Sequence, residues 1–169
     1  MAILDIITYP DARLREVATE IDSFDHPVVQ QLIEDLLETM AALPVCVGVA
    51  APQAGHACRL LVMQCGNARK PPSEHHGLLV VGNPEILEWS GMEVGREGCL
   101  SLPDYTGNVM RAATLRVRFQ DRFGVAQTLT LSGFEARVMQ HEMDHLDGKL
   151  FTDRIVSRKS DLFARKQRT

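Results

Sequence analysis

The stretch Gln140–Leu146, QHEMDHL, constrains the fold more than any other, because His141-Glu142-x-x-His145 is useful chemistry only on a helix. Residues four apart on an α-helix are rotated by about 400°, so His141 and His145 project to nearly the same side and can grip one ion. Glu142 follows the first histidine and can reach water at that ion as a general base. The helix that carries them starts near Phe134 and runs through Leu146 to Gly148, which suits a C-cap. Val138, His141, Met143 and His145 cannot share one face. The helix is therefore expected to be buried on several sides, as a central helix enclosed by sheet would be.

The rest of the chain supplies that enclosure. A first long helix is read over His26–Leu43, where Pro27 suits the first turn and Val29, Leu32, Ile33, Leu36, Leu37 and Met40 recur at helical spacing. Strands are expected at Val45–Ala51, Arg59–Gln64 and Leu78–Gly82, with two more, Glu85–Ser90 and Met92–Glu97, on either side of Gly91. Gly66–Gly77, with Pro71-Pro72 and His75-His76, reads as an exposed loop. Thr114–Gln120 and Val125–Leu131 alternate around Asp121-Arg122-Phe123-Gly124, a β-hairpin signal. At 169 residues, 45% hydrophobic and 24% charged, the chain is expected to form one domain over 1–169. Its basic tail, about 154–169, carries Arg154, Arg158, Lys159, Arg165, Lys166 and Arg168 and reads as a solvated terminus.

The net charge of −4 argues against nucleic acid as the main partner. The apolar runs fall far short of the ~20 residues of a membrane span, and no signal pattern opens the chain, so a cytoplasmic location is expected. Disulfides are not expected of its four cysteines, 46, 58, 65 and 99, each of which is either a small buried residue or a ligand.

Two histidines leave a metal site incomplete, since a catalytic ion usually takes three protein ligands and keeps one position open. No histidine lies downstream of His145, and the acids there, Asp147, Asp153 and Asp161, sit in no supporting motif. The stronger candidate lies upstream in Glu97-Gly98-Cys99-Leu100-Ser101, because a thiolate is a strong ligand for soft and borderline divalent metals. An extended chain there would present the Leu100 N–H beside the ion. A third segment, Gly48-Val49-Ala50-Ala51-Pro52-Gln53, allows close backbone approach and ends in an amide that can donate to a developing oxyanion.

In this order, GVAAPQ, EGCLS and QHEMDHL resemble the three signature motifs of the peptide deformylases, and the resemblance extends over roughly residues 3–155. It implies an α+β fold, with mixed or antiparallel strands wrapped around a central metal-bearing helix and one N-terminal helix packed outside. The implied activity is hydrolytic removal of the formyl group from N-formylmethionyl nascent peptides, releasing formate. One divalent ion is implied, Fe(II) natively, with Zn(II), Ni(II) or Co(II) able to replace it. Carried over residue by residue, Cys99, His141 and His145 are the ligands and Glu142 the general acid/base. Gln53 and the Leu100 amide are the oxyanion donors. Gly48, Val49 and Gly98 line the substrate groove, and Val138 faces the methionine pocket. Contact of the basic tail with a ribosome is a further expectation.

Two departures stand out. Cys46 occupies the place of a usual glycine, so either the backbone there does not need positive φ or a side chain narrows the groove. Asp104-Tyr105-Thr106 lacks an arginine that some relatives carry in this region. Two competing readings are a zinc endopeptidase built on the same helix and a catalytically silent binder of peptide N-termini.

Overall fold

The computed structural model describes residues 2–165. In chain order its elements are α1 (Pro27–Ala42), β1 (Gly48–Ala50), β2 (Leu60–Gln64), β3 (Leu78–Cys99), β4 (Leu102–Gln120), β5 (Ala126–Ser132), α2 (Gly133–Leu146), the short α3 (Arg158–Asp161) and β6 (Leu162–Ala164). The strands form one sheet in the order β1-β2-β3-β4-β5, and β6 pairs with β4. Every ladder is antiparallel. The parallel contact among the described residues is an isolated bridge, Thr19 to Cys58.

The sheet curls around α2, as expected of a helix with apolar residues on more than one face. Ala136, Val138, Met139, Met143 and Leu146 pack with Leu61 and Met63 of β2, Leu115 and Val117 of β4, and Leu131 of β5. The helix stops where Gly148 takes φ 67°. There the Lys149 N–H donates to the Asp144 carbonyl at 2.8 Å and the Gly148 N–H to the His145 carbonyl at 3.2 Å, a Schellman closure. Helix α1 lies outside and buries Leu32, Ile33, Leu36 and Met40 in a second cluster with Val49, Leu60 and Val62. His26 caps it by accepting from the Val28 N–H at 3.3 Å.

Three strand expectations are corrected. The first strand is shorter than Val45–Ala51, because Val45 has φ 60° and breaks the extended run before β1 begins at Gly48. The strands expected on either side of Gly91 are instead one 22-residue strand, β3. Gly91 takes φ 65°, yet the ladder continues across it, Ser90 to Thr114 and Met92 to Ala112. The irregularities fall instead between Gly82 and Glu85, between Ile86 and Glu88, and between Gly98 and Cys99. Finally, Leu100 is not extended. Cys99 pairs with Leu102, so Leu100-Ser101 is the two-residue turn joining β3 to β4.

The loop read over 66–77 is tied down at two points, where Asn67 Nδ2 donates to the Cys46 carbonyl at 3.1 Å and where the His76 N–H and Nδ1 both meet the Glu135 carboxylate of α2 at 2.8 Å. The tail is more than a solvated terminus. Arg154 binds Asp144, with NH2 to Oδ1 at 2.7 Å, and β6 adds to β4 through Tyr105–Ala164, Thr106–Phe163 and Gly107–Leu162. Lys166 and Arg168 lie outside the described residues.

Candidate metal centre and active site

Three segments far apart in the chain meet on one side of α2. Helix α2 brings His141 and His145 one turn apart, with ring centroids separated by 5.2 Å. The end of β3 brings Cys99, whose Sγ lies 3.3 Å from His145 Nε2. One donor atom from each of Cys99, His141 and His145 falls within 4.8 Å of the others, and all three residues are buried.

His141 is oriented before any ion arrives, whereas His145 Nδ1 has no hydrogen-bond partner among the described residues. His141 Nδ1 lies 2.8 Å from Glu97 Oε2, so Nδ1 carries the proton toward the carboxylate and Nε2 is left for a ligand. Glu97 is in turn held by three further bonds, from Arg111 Nε at 2.9 Å, Arg111 NH2 at 3.0 Å and Arg137 NH1 at 2.9 Å. Arg111 also reaches Asp144 Oδ2 at 2.6 Å. Burial opposes ionisation of Glu97, but the His141 and Arg111 hydrogen bonds outweigh it and hold its carboxyl far below the usual range. None of Glu97, Arg111, Arg137 or Asp144 has an assigned role in the sequence reading. Glu97 and Asp144 stand inside the quoted motifs, but Arg111 and Arg137 carry no local signal.

Gln53 sits in a 3-10 turn, Ala51–Ala54, that follows β1. Its Oε1 accepts from the Ala50 N–H at 3.0 Å, which fixes which end of the amide is which. Its Nε2 therefore faces the site, 3.2 Å from Ser101 Oγ and 3.5 Å from Cys99 Sγ. Glu142 is buried, and that burial pushes its carboxyl above the usual range. Its Oε2 has no hydrogen-bond partner among the described residues.

These groups border a cavity of about 410 Å³ also lined by Gly48, Cys46, Gly98, Leu100 and Val138. Gly48 is a spatial necessity, since a Cβ there would lie 2.6 Å from Glu142 Oε1. Val49 is not among the lining residues. Its side chain is fully buried in the cluster beneath α1, and its neighbours Val45, Cys46 and Val47 line the wall instead.

Positive φ falls on Val45 rather than Cys46, so the backbone at 46 tolerates a side chain. That side chain turns to the Gly48 carbonyl, Sγ to O 3.3 Å, and burial pushes the thiol up to about 12. The Asp104-Tyr105-Thr106 stretch that lacks an arginine is where β6 pairs, and the Asp104 carbonyl accepts from the Arg165 N–H at 2.7 Å.

The donor set fits a divalent cation. One sulfur and two imidazole nitrogens suit soft and borderline ions, and histidine Nδ1–carboxylate support is the usual arrangement around a ligating imidazole. Burial alone would hold the Cys99 thiol neutral, yet the neighbouring His145 and His141 draw its pKa well below the ordinary value, toward the thiolate that binds metal. Beside these ligands, Glu142 Oε2 is a buried acceptor without a partner among the described residues.

Comparison with known proteins agrees with this arrangement. The family model for polypeptide deformylase matches residues 3–161. A peptide deformylase of Syntrophobacter fumaroxidans is 41% identical over 166 residues, covering 98% of this chain and 94% of that protein. The crystal structure of a peptide deformylase from Legionella pneumophila superposes with a TM-score of 0.84 at 39% identity, covering 94% of this chain and 89% of that one. A Met-Ala-Ser-bound class I type b peptide deformylase from Acinetobacter baumannii gives a TM-score of 0.85 at 35% identity, covering 91% of this chain and 99% of that one. With a family match across nearly its whole length and three distant motifs folded into one site, this chain belongs to the polypeptide deformylase family.

Proposed function

We propose that this chain is one catalytic domain that hydrolyses the formyl amide of N-formylmethionyl peptides and releases formate, acting in the cytoplasm on nascent chains. The observation that carries this reading is the convergence of Cys99, His141 and His145 beside a cavity lined by Cys99, His141, Glu142 and Gln53. In this reading Cys99 Sγ and the two imidazoles hold one divalent ion, with Fe(II) as the native one. When bound, such an ion supplies Lewis acidity to a water and to the formyl oxygen.

The chain's own residues do the rest. Glu142, whose carboxyl is raised by burial, takes the proton of the attacking water and returns it to the leaving amine. Gln53 Nε2, aimed by the Ala50 N–H, donates to the oxygen on which charge develops, together with the Leu100 N–H from the β3–β4 turn. Val138, buried and lining the cavity one turn before His141, meets the methionine side chain. Gly48 and Gly98 leave the backbone close to the substrate, and β1, at the sheet edge, pairs only with β2 among the described residues, so its other side can take an extended peptide. The exposed Arg158 and Lys159 of the tail offer charge to a ribosomal surface.

The test is formate release from a formyl-Met peptide by metal-loaded protein. Glu142→Ala should abolish it in a folded protein, and undiminished turnover by that variant overturns the assignment. Cleavage of an internal bond in an unformylated, N-blocked peptide would identify the helix with an endopeptidase instead.

A further inference from the structure

The cavity wall carries four arginines, Arg69, Arg96, Arg137 and Arg165, against the two acids Glu97 and Glu142. That is an excess of positive charge in a chain whose net charge is −4. Two of the four are committed to the fold. Arg137 binds Glu97 Oε1 at 2.9 Å, the Val109 carbonyl at 2.8 Å and the Glu93 carbonyl at 2.7 Å. Arg96 binds Asn108 Oδ1 at 2.9 Å and Thr106 Oγ1 at 3.2 Å, and its guanidinium lies 3.6 Å over the centre of the Phe163 ring. That stacking fastens β6 to the β3–β4 end of the sheet.

Arg165, the residue just after β6, is different. Its N–H is held by the Asp104 carbonyl at 2.7 Å, while its guanidinium has no carboxylate or carbonyl partner among the described residues. The guanidinium lies against Gly98, so close that a Cβ at that position would collide with it. Gly98 directly precedes Cys99, so a cation with no carboxylate or carbonyl partner among the described residues stands at the cavity wall one residue from the reaction centre. The planar fork of an arginine matches a carboxylate better than any other peptide group.

We infer that Arg165, delivered by the C-terminal strand, binds a carboxylate of the peptide substrate downstream of its formylmethionine. This rests on the deformylase reading. The carboxylate is either the free C-terminus of a short peptide or an acidic side chain early in a nascent chain. On this view the C-terminal segment is part of the substrate site and sets a preference among peptides.

The experiment compares formyl-Met-Ala-Ser as free acid, the same peptide as C-terminal amide, and formyl-Met-Ala-Glu as amide, on the whole metal-loaded protein. The parent should favour a carboxylate-bearing peptide over the neutral amide by about threefold to tenfold in kcat/KM, carried by KM, as expected for a partly solvated charge pair. Raising the ionic strength should shrink that ratio. Arg165→Ala should bring it to about one, Arg165→Glu should invert it, and Arg165→Lys should restore part of it. A preference for the tripeptide acid alone identifies short peptides as the favoured class, and a preference for the glutamyl amide as well identifies acidic nascent chains. An unchanged ratio in Arg165→Ala, or an equal loss on all three peptides, overturns the inference. Calorimetric binding of unformylated Met-Ala-Ser, acid against amide, tests Arg165 without turnover. A failure of the deformylase reading is thereby separable from a failure of this one.

Discussion

Glu97→Gln tests whether the buried ion network is what holds His141 in place. The two carboxylate oxygens accept four bonds: Arg111 Nε and Arg137 NH1 on Oε1, and Arg111 NH2 and His141 Nδ1 on Oε2. A glutamine keeps the shape but has one oxygen and one NH2. Whichever way the amide turns, two of the four donors face another donor. Glu97 is 6% exposed and Arg111 4%, so water cannot take over. Each lost charge-assisted bond is worth about 1.5–3 kcal/mol, and breaking a buried ion pair by removing one partner costs about 3–5 kcal/mol. Taking about 3–5 kcal/mol for the whole change, and about 2–4 °C per kcal/mol for a chain of 169 residues, the melting temperature should fall by about 6–20 °C. Loosening His141 should weaken metal retention by about 10- to 100-fold. Thermal unfolding of the metal-loaded protein and competition against a chromophoric chelator measure the two effects. A melting temperature within about 2 °C of the parent, with unchanged metal affinity, would show that the network does not hold His141 in place.

On the proposed mechanism, Gln53→Leu takes away a donor to the developing oxyanion and should lower kcat about 10²–10³-fold with little change in KM, read by formate release. Stripping the protein with a chelator should abolish formate release and re-addition of a divalent ion should restore it, because no other group on the cavity wall supplies a Lewis acid. Cys46 and Cys65, with thiols pushed up to about 12 by burial, and Cys58, pushed up to about 11, stay neutral at pH 7, so they should resist maleimide until the protein is unfolded, as mass spectrometry would show. Gly48→Ala should cost most of the activity by driving a methyl to 2.6 Å from Glu142 Oε1, whereas Cys46→Ala should change kcat/KM by no more than about threefold.

The metal cluster is legible in the chain because its chemistry imposes local spacing. His141 and His145 are four residues apart. A helix brings that spacing to one face about one turn apart, close enough to share an ion, whereas a strand would hold the same two residues on one face but about 13 Å apart. Cys99 and Gln53 are legible through short motifs around them. The support is not legible. Glu97 meets Arg111 across 14 residues of chain, Arg137 across 40 and His141 across 44, and opposite charges at such separations look the same whether buried together or solvated apart. The breaks expected in β3 come from reading Gly91 as a strand end, although hydrogen bonding to β4 on both sides carries the ladder across it. Val49 is apolar and stands in a motif, but its place on β1 points its side chain into the cluster under α1 rather than toward the cavity. The basic tail reads as solvated because sequence does not show that Arg154 will find Asp144, nor that Phe163 will lie under Arg96.

The EGC motif and the helix motif are two periods meeting at one point. Along a strand, alternate residues face the same side. Glu97 and Cys99 are buried toward α2 while Gly98 between them is exposed. One strand end therefore delivers both a ligand and the carboxylate that orients another ligand, while Gly98 between them leaves room on the opposite side for the Arg165 guanidinium. On the helix, His141 meets Glu97 and His145 meets Cys99, so each histidine is matched to one of the two inward strand residues. A shift of β3 by one residue would exchange the inward and outward sets and cost the site its thiolate and its orienting carboxylate together. Register there is held by the two-residue turn at Leu100-Ser101 and by Arg111, which sits on β4 and grips both Glu97 of β3 and Asp144 of α2. The buried ion network thus does two things with the same atoms: it fixes the alignment of β3, β4 and α2, and it points His141 at the metal position.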